Sequence, residues 1–388
     1  MPFISGPDGD LKTAFVSDSW LLDQFVGNTL FTWGNNLNGN LGDNTILDKS
    51  NPVQTVTGGI NWKQGSVMSN NSAGIKTDGT LWVWGDNVTN GQLGDNTVVR
   101  KSSPIQTIAF GTNWKQVACG NPFTTAIKTD GTLWTWGGNN SGQLGDNTIV
   151  KKSSPVQTIA FGINWKQVSC GYAYTACIKT DGTLWTWGNN SSGQLGDNTI
   201  VKKSSPVQTV AFGTNWKQVA CSGANTTAIK NDGTLWSWGL GTNGQLGDNT
   251  TTNRSSPVQT ITRGTNWKQV SCGSSYMAAI KTDGTLWSWG FNFYGEIGDN
   301  TTTPRSSPVQ TVTFGTNWKQ VSCGSGITAA IKTDGTLWTW GNNTNNALGD
   351  QSSVTRRSSP VQTTAYGTNW KQVACGYTHT IAVTNGDI

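Results

Sequence analysis

The chain is expected to be all-β: a seven-bladed β-propeller with four antiparallel strands per blade, its ring closed by N-terminal strands that complete the C-terminal blade. Three observations predict this. A Trp followed by Gly recurs at Trp33, Trp84, Trp136, Trp187, Trp238, Trp289 and Trp340, at intervals of 51 or 52 residues. A second marker, Asn-Trp-Lys-Gln, keeps the same beat from Trp62 to Trp370. The segments between them are short, β-branched and bounded by turns, with no sustained 3.6-residue apolar period. Seven copies at such a period mark a repeat architecture, and four-stranded units in that number suggest a propeller.

Residues 1–26 do not match the repeat. They hold a short apolar patch, Ser19–Val26, whose Trp20, Leu21, Leu22 and Phe25 are candidate docking residues. Two readings stand for this leader: a segment packed on the outside of the domain, or one that docks it into a larger assembly. The propeller is expected over residues 27–388.

Each repeat then reads as four strands. In the copy around Trp187, strand A is Lys166 to Gly171 and strand B is Thr175 to Lys179. Asp181-Gly182 follows, between two β-branched runs, and is a hairpin signal. Strand C is Thr183 to Gly188, and its Trp185 and Trp187, two residues apart, project from one face. A long loop carries Gly193-Gln-Leu-Gly-Asp-Asn198 and then Lys203-Ser-Ser-Pro206. Strand D begins at that Pro, which suits an outer edge. A blade of this kind has two apolar faces that only its neighbours can cover, and the Trp pairs are expected to fill the gaps.

The ends supply a further test. Val373 to Gly386 reads as strand A, strand B and a turn with no strand C, whereas Gly27 to Gly34 is strand C with Phe31 in place of the first Trp. The two fragments complement each other, so the last blade is expected to take strands A and B from the C-terminus and strands C and D from residues 28 to about 56. Such closure removes exposed sheet edges.

Composition narrows the functional classes. Charged residues are 12%, the formal net charge is +5, and His and Glu each occur once, at His379 and Glu296. A charge this small for the length does not point to nucleic acid or an anionic membrane. No apolar run is long enough for a membrane span. The N-terminus lacks the basic and apolar regions of a Sec-type signal, so synthesis in the cytoplasm is expected. Six of the seven Cys share one repeat position, filled by Val67 in the remaining copy, which reads as a small buried apolar site, with disulfides among equivalent positions as the sharper alternative. With one His there is no base for Ser-His or Cys-His catalysis. Cys and His show no metal-ligand spacing, and no enzyme activity, cofactor or metal is expected. One Asp per copy, as at Asp197, follows the Leu-Gly of the loop. It reads as a local Asx-type turn, with a thin Ca²⁺ site as the alternative.

Two surface features are candidates for recognition. A basic ring precedes strand D, at Lys101, Lys152, Lys203, Arg254, Arg305 and Arg357; it reads as a solvated loop or as a contact for an anionic polymer or acidic partner. Variation among the copies gathers in the A–B and C–D loops, which share one face of an up-and-down blade. That variation reads as drift or as a partner-binding face, with Phe123, Tyr172, Tyr174, Tyr276, Phe291, Phe293, Tyr294, Tyr377 and His379 as its aromatic anchors.

A strand ending in Trp-Gly, then Asn, then Gly-Gln-Leu-Gly, preceded by a Gly-closed strand and an Ala-x-x-x-x-Asp-Gly hairpin, resembles the RCC1 (regulator of chromosome condensation) repeat over about residues 27–388. The resemblance implies a seven-bladed propeller. Its founding member is a nucleotide-exchange factor for a small GTPase that also binds chromatin, and other members are interaction modules. This chain departs from the exchange factor: it has no basic N-terminal tail, no inserted wedge and few acidic or imidazole groups. Gly-x-x-His after strand A occurs only at Gly376 to His379.

The favoured expectation is therefore a non-enzymatic interaction or structural propeller within a larger assembly, a virion surface or tail component being one concrete form. Nucleotide exchange on a small GTPase and binding of a glycan or anionic polymer are the alternatives.

Overall fold

The computed structural model describes residues 27–386, apart from 57–58, 109–110, 160–162, 211–212, 262–263, 313–314, 364–366 and 368. The leader and its docking residues Trp20, Leu21, Leu22 and Phe25 lie outside the described residues. Among the described residues there are 28 strands and no helix. They form seven four-stranded antiparallel sheets. Six of these are consecutive A–B–C–D units, such as Trp165–Cys170, Tyr174–Lys179, Leu184–Gly188 and Lys203–Gln208. The seventh takes Trp370–Cys375 and His379–Thr384 from the end of the chain, and Leu30–Gly34 and Lys49–Gln54 from its start. Leu30 pairs with Val383 and Gly34 with His379, so the expected closure is found. Blades are numbered here from Trp62, and the closing blade is the seventh.

Strand D differs from expectation. It starts three residues early, at Lys203, and Pro206 lies inside it. The pairing with strand C is irregular between Gly188–Lys203 and Thr186–Val207. Strand D is the outermost strand, so a residue without an N–H breaks no inner ladder there.

The apolar core is not one body but seven, one in each gap between blades. In the gap between blades 3 and 4, Ile178, Leu184 and Leu195 of one blade pack on Trp216, Val219 and Trp238 of the next. Trp187 and its counterparts are fully buried; each such ring withdraws roughly 200 Å², an upper bound of about 5 kcal/mol at the usual coefficient. The first Trp of the pair lies at the edge of the gap. Trp185 donates its indole N–H to Thr183 Oγ1 at 2.9 Å, and that hydroxyl donates to Asp181 at 2.7 Å. Lys179 Nζ lies 4.5 Å from the Trp185 ring and 4.9 Å from that of Trp165. The Asp-Gly turn, the Thr and the first Trp are thus one relay, capped by a cation.

The Gly-Gln-Leu-Gly loop joins neighbouring blades. The Gln194 carbonyl accepts from the Trp238 indole at 3.0 Å and from the Thr226 hydroxyl at 2.8 Å, both on the following blade. Gly196 has φ of 66°, and a Cβ there would stand 2.6 Å from the Trp238 indole nitrogen, so only Gly fits the approach.

The seven strands A line the axis. Each sends one Gln across to the next: Gln167 Nε2 donates to Val219 O at 3.1 Å, and Val219 N donates to Gln167 Oε1 at 3.0 Å. The last link runs from Gln372 to Gly65, at 2.7 Å both ways. This amide belt pairs the N–H and C=O of one residue on the open edge of every inner strand and encloses a channel of about 220 Å³. The cysteines of strand A line it, buried and free, as is Cys177 in strand B. Burial pushes the Cys119 thiol up to about 12 and that of Cys221 to about 11. No disulfide forms among them, in keeping with a small buried apolar site.

Candidate interaction face

The A–B and C–D loops do emerge together. Asn189 N, just after strand C, donates to Ala173 O in the A–B loop at 2.8 Å, and the same contact recurs at Gly138 and Pro122. Around the channel mouth the A–B loops are also tied to each other, as in Tyr172 N to Gly223 O at 3.0 Å and Tyr377 N to Met68 O at 2.8 Å. The framework under this face is rigid. Asn190 is fully buried; its Nδ2 donates to Asp197 Oδ1, Thr199 O and Val201 O at 3.0–3.2 Å, and its Oδ1 accepts from Leu195 N at 2.9 Å. Of the loop between Gly188 and Gly193, only the positions around Asn190 can vary.

Four of the expected aromatic anchors are corrected by their burial. Phe123, Tyr174, Tyr276 and His379 are sealed from solvent. All four are the first residue of strand B, in the A–B ladder rather than the loop. There they bridge to the next blade: Tyr174 Oη donates to Asn225 O, and Tyr276 Oη to Ile327 O. His379 Nε2 meets Ser72 Oγ at 3.0 Å. Burial holds this imidazole down to about 3, so it is neutral. The pair has the elements of a nucleophile and its base, but both residues are fully buried, and no substrate reaches them.

The remaining anchors do reach the face. Tyr172 is 51% exposed. Tyr377 is half-buried beside Ser274, Asn121 and Tyr172, and burial raises its phenol. Phe291, Phe293 and Tyr294 form one cluster on the C–D loop of blade 5; Phe293 is 57% exposed and stands edge-on to Tyr294 at 5.1 Å. Arg356 lies 6.0 Å over the Phe293 ring and donates to Phe293 O at 3.2 Å. Sequence reasoning missed its part, and no signal pointed to it: the doubled Arg356-Arg357 has counterparts in Arg100-Lys101, Lys151-Lys152 and Lys202-Lys203. Glu296, fully buried below the cluster, takes the place of Gln194 and accepts from Tyr294 N at 2.9 Å.

The basic ring is ion-paired. Lys101, Lys152, Lys203, Arg254, Arg305 and Arg357 each pair with the Asp of a Leu/Ile-Gly-Asp loop, at 2.7–3.8 Å. Lys49 pairs likewise with Asp43. The two rings read separately in the sequence are one set of ion pairs. Each Asp also accepts from the Thr or Ser two residues on, as Asp197 does from Thr199 N at 3.0 Å and Oγ1 at 2.7 Å. Burial pushes the Asp299 carboxyl up, but Thr301 and Arg305 outweigh it and hold it below the usual range. These are Asx turns with a bound cation already in place. Among the described residues no three His, Cys, Asp or Glu converge as metal ligands.

An apolar arc also distinguishes the copies. Just before strand D, Ile46-Leu47, Val98-Val99, Ile149-Val150 and Ile200-Val201 are all exposed, between 51% and 67%. The next two copies have Thr251-Thr252 and Thr302-Thr303. Four adjacent blades thus present paired aliphatics where two others carry Thr pairs and the remaining one has Ser353-Val354.

Comparison with known proteins agrees with this architecture. A model described as the RCC1-like domain matches residues 18–314 and again 103–388. The chain is 30% identical over 346 residues to the ultraviolet-B receptor UVR8 of Arabidopsis thaliana, covering 85% of this chain and 76% of the receptor. It is 27% identical over 391 residues to human E3 ubiquitin-protein ligase HERC2, covering 94% of this chain but 8% of the ligase. Human WBSCR16 superposes with a TM-score of 0.81 at 21% identity over 92% of this chain and 100% of its own. Prp20p of Saccharomyces cerevisiae, described by its binding to Gsp1p and histones, gives 0.83 at 20% over 92% of each. At such identities these structures speak for the fold alone.

Proposed function

Because the chain belongs to the RCC1-like domain family, a group of interaction propellers, we propose that it binds a protein partner through the loop face, with no catalytic step of its own. The observation that carries this reading is the arc of exposed aliphatic pairs on blades 7, 1, 2 and 3. Single exposed apolar side chains need no explanation, but exposed aliphatic pairs repeated at one position on four adjacent blades are not singly scattered. The aromatic cluster at Phe293 and Tyr294 supplies a second anchor on the same face, of the kind that dominates interfaces.

The test exploits the repeats. Ile149, Val150, Ile200 and Val201 are replaced by Thr, the residue that two other copies already carry there, so the fold should be kept. Wild-type and variant chains are then used as baits in extract from the native source. A protein retained by the wild type and lost by the Thr variant supports the reading; equal retention by both removes the arc from the interface.

The alternative is nucleotide exchange on a small GTPase, suggested by the kinship with Prp20p and its binding to Gsp1p. Acceleration of nucleotide release across a GTPase panel would establish it. Neither a virion role nor a glycan ligand draws support from the relatives. The finer form of the favoured reading, an assembly component held through residues 1–26, is tested by deleting them: the propeller should stay folded and assembly should be lost.

A further inference from the structure

The charge of the molecule is concentrated on the face opposite the loops. On the loop face, eleven Lys and Arg among the described residues stand against ten carboxyl groups, most of them in the ion pairs above. On the hairpin face, thirteen lysines stand against six aspartates among the described residues. Six of those lysines, Lys179 and its counterparts, lie over Trp rings. The other seven are Lys63, Lys115, Lys166, Lys217, Lys268, Lys319 and Lys371, the second residue of every strand A. All seven are exposed, and none has a carboxylate within ion-pair distance among the described residues.

Their placement follows from the fold. Strands A are the innermost, tied to each other by the Gln belt. Their first residues lie beside the hairpin turns, as Trp165 N donates to Gly131 O at 3.1 Å. The Lys one residue further on therefore lies near the hairpin-side end of each innermost strand, once per blade, outside the residues that line the channel itself. Seven like charges brought round one axis repel each other and focus a positive potential on it.

We propose that this ring is a binding site for a compact, multiply phosphorylated anion seated over the hairpin-side opening of the channel. Ammonium groups act as point charges toward phosphate oxygens. The charges form a closed circle, which a compact anion meets from all sides and a linear duplex meets along an arc only.

The test uses the full chain and isothermal titration at several salt concentrations. The probes are inositol hexakisphosphate, tripolyphosphate, a short DNA duplex and an acidic peptide. One variant carries Lys115→Gln, Lys217→Gln and Lys319→Gln, all exposed, with its fold checked by circular dichroism; a control carries Lys151→Gln and Lys202→Gln on the loop face. Saturable binding of a phosphate probe is expected, weakened roughly tenfold or more in the triple variant and unchanged in the control. Affinity should fall as salt rises, and less steeply in the triple variant than in the wild type. Preference for the hexakisphosphate would assign a cyclic ligand, and equal affinity for tripolyphosphate a short linear one. The proposal is overturned if no phosphate probe saturates, if the triple variant binds as the wild type does, or if the duplex or the peptide binds more tightly than either phosphate.

Discussion

Replacing Glu296 with Gln should stabilise the protein at pH 8 and leave it almost unchanged at pH 4. Glu296 is the one acid among seven equivalent loop positions, and burial raises its carboxyl from 4.5 to about 7. A folded state that holds its proton more tightly than the unfolded chain loses stability as pH rises, because the unfolded carboxyl ionises first. The loss therefore starts near pH 4.5, grows until about pH 7 and is constant above. At about 1.36 kcal/mol per pH unit, the full penalty is on the order of 3 kcal/mol. Gln cannot ionise, so the variant escapes it. The isostere also fits: Gln143, Gln194 and Gln245 accept from the N–H two residues back at 2.7–2.9 Å, as Glu296 does from Tyr294. The main-chain carbonyl of residue 296 still receives Trp340 and Thr328. Urea unfolding of both proteins from pH 4 to 8 measures the difference, in which the aspartates cancel. A gain that does not vary with pH, or a variant less stable at pH 8, would refute the reasoning.

Three further outcomes are expected. Gln218→Leu removes one link of the belt and strands the N–H and C=O of Val270, at a cost of about 2–4 kcal/mol in urea unfolding. Asn190→Ala should cost about 3 kcal/mol, since it frees one buried N–H and several acceptors at once, whereas Ser191→Ala, exposed one residue away, should stay within about 0.5 kcal/mol. In the native state the cysteines, buried and with raised thiols, should resist a maleimide at pH 8 and react only in denaturant; fast labelling of the folded chain would show that the channel opens.

How much was legible in the sequence depended on what had to be compared. The period, the hairpin turns and the complementary ends are local signals, and the ring followed from them. Partnership between blades was not local. Asp197 and Lys203 each stood out as members of a repeated set, yet their pairing depends on a loop path that no periodicity shows. Tyr174 and His379 vary between copies as surface residues do, but they vary because each fits a different neighbour across the gap. The strand B boundary moved by one residue, and that was enough to turn four anchors into core. Lys166 was hidden for the opposite reason. It never varies among the copies, so it read as frame, and only its exposure separates it from the buried Trp165 beside it.

The pairing of Leu30–Gly34 with His379–Thr384 has a consequence for how the molecule comes apart. In an open array of repeats, the terminal units touch one neighbour each and fray first. Here every blade has two, and the array obeys a periodic boundary. All blades but one are single runs of chain, so each can reform by itself after a local opening. The seventh is held only by hydrogen bonds and packing between segments some 350 residues apart in the sequence. That seam is the one place where the circle can be cut without unfolding a contiguous repeat, and amide exchange in Leu30–Gly34 should report its opening before any other strand C.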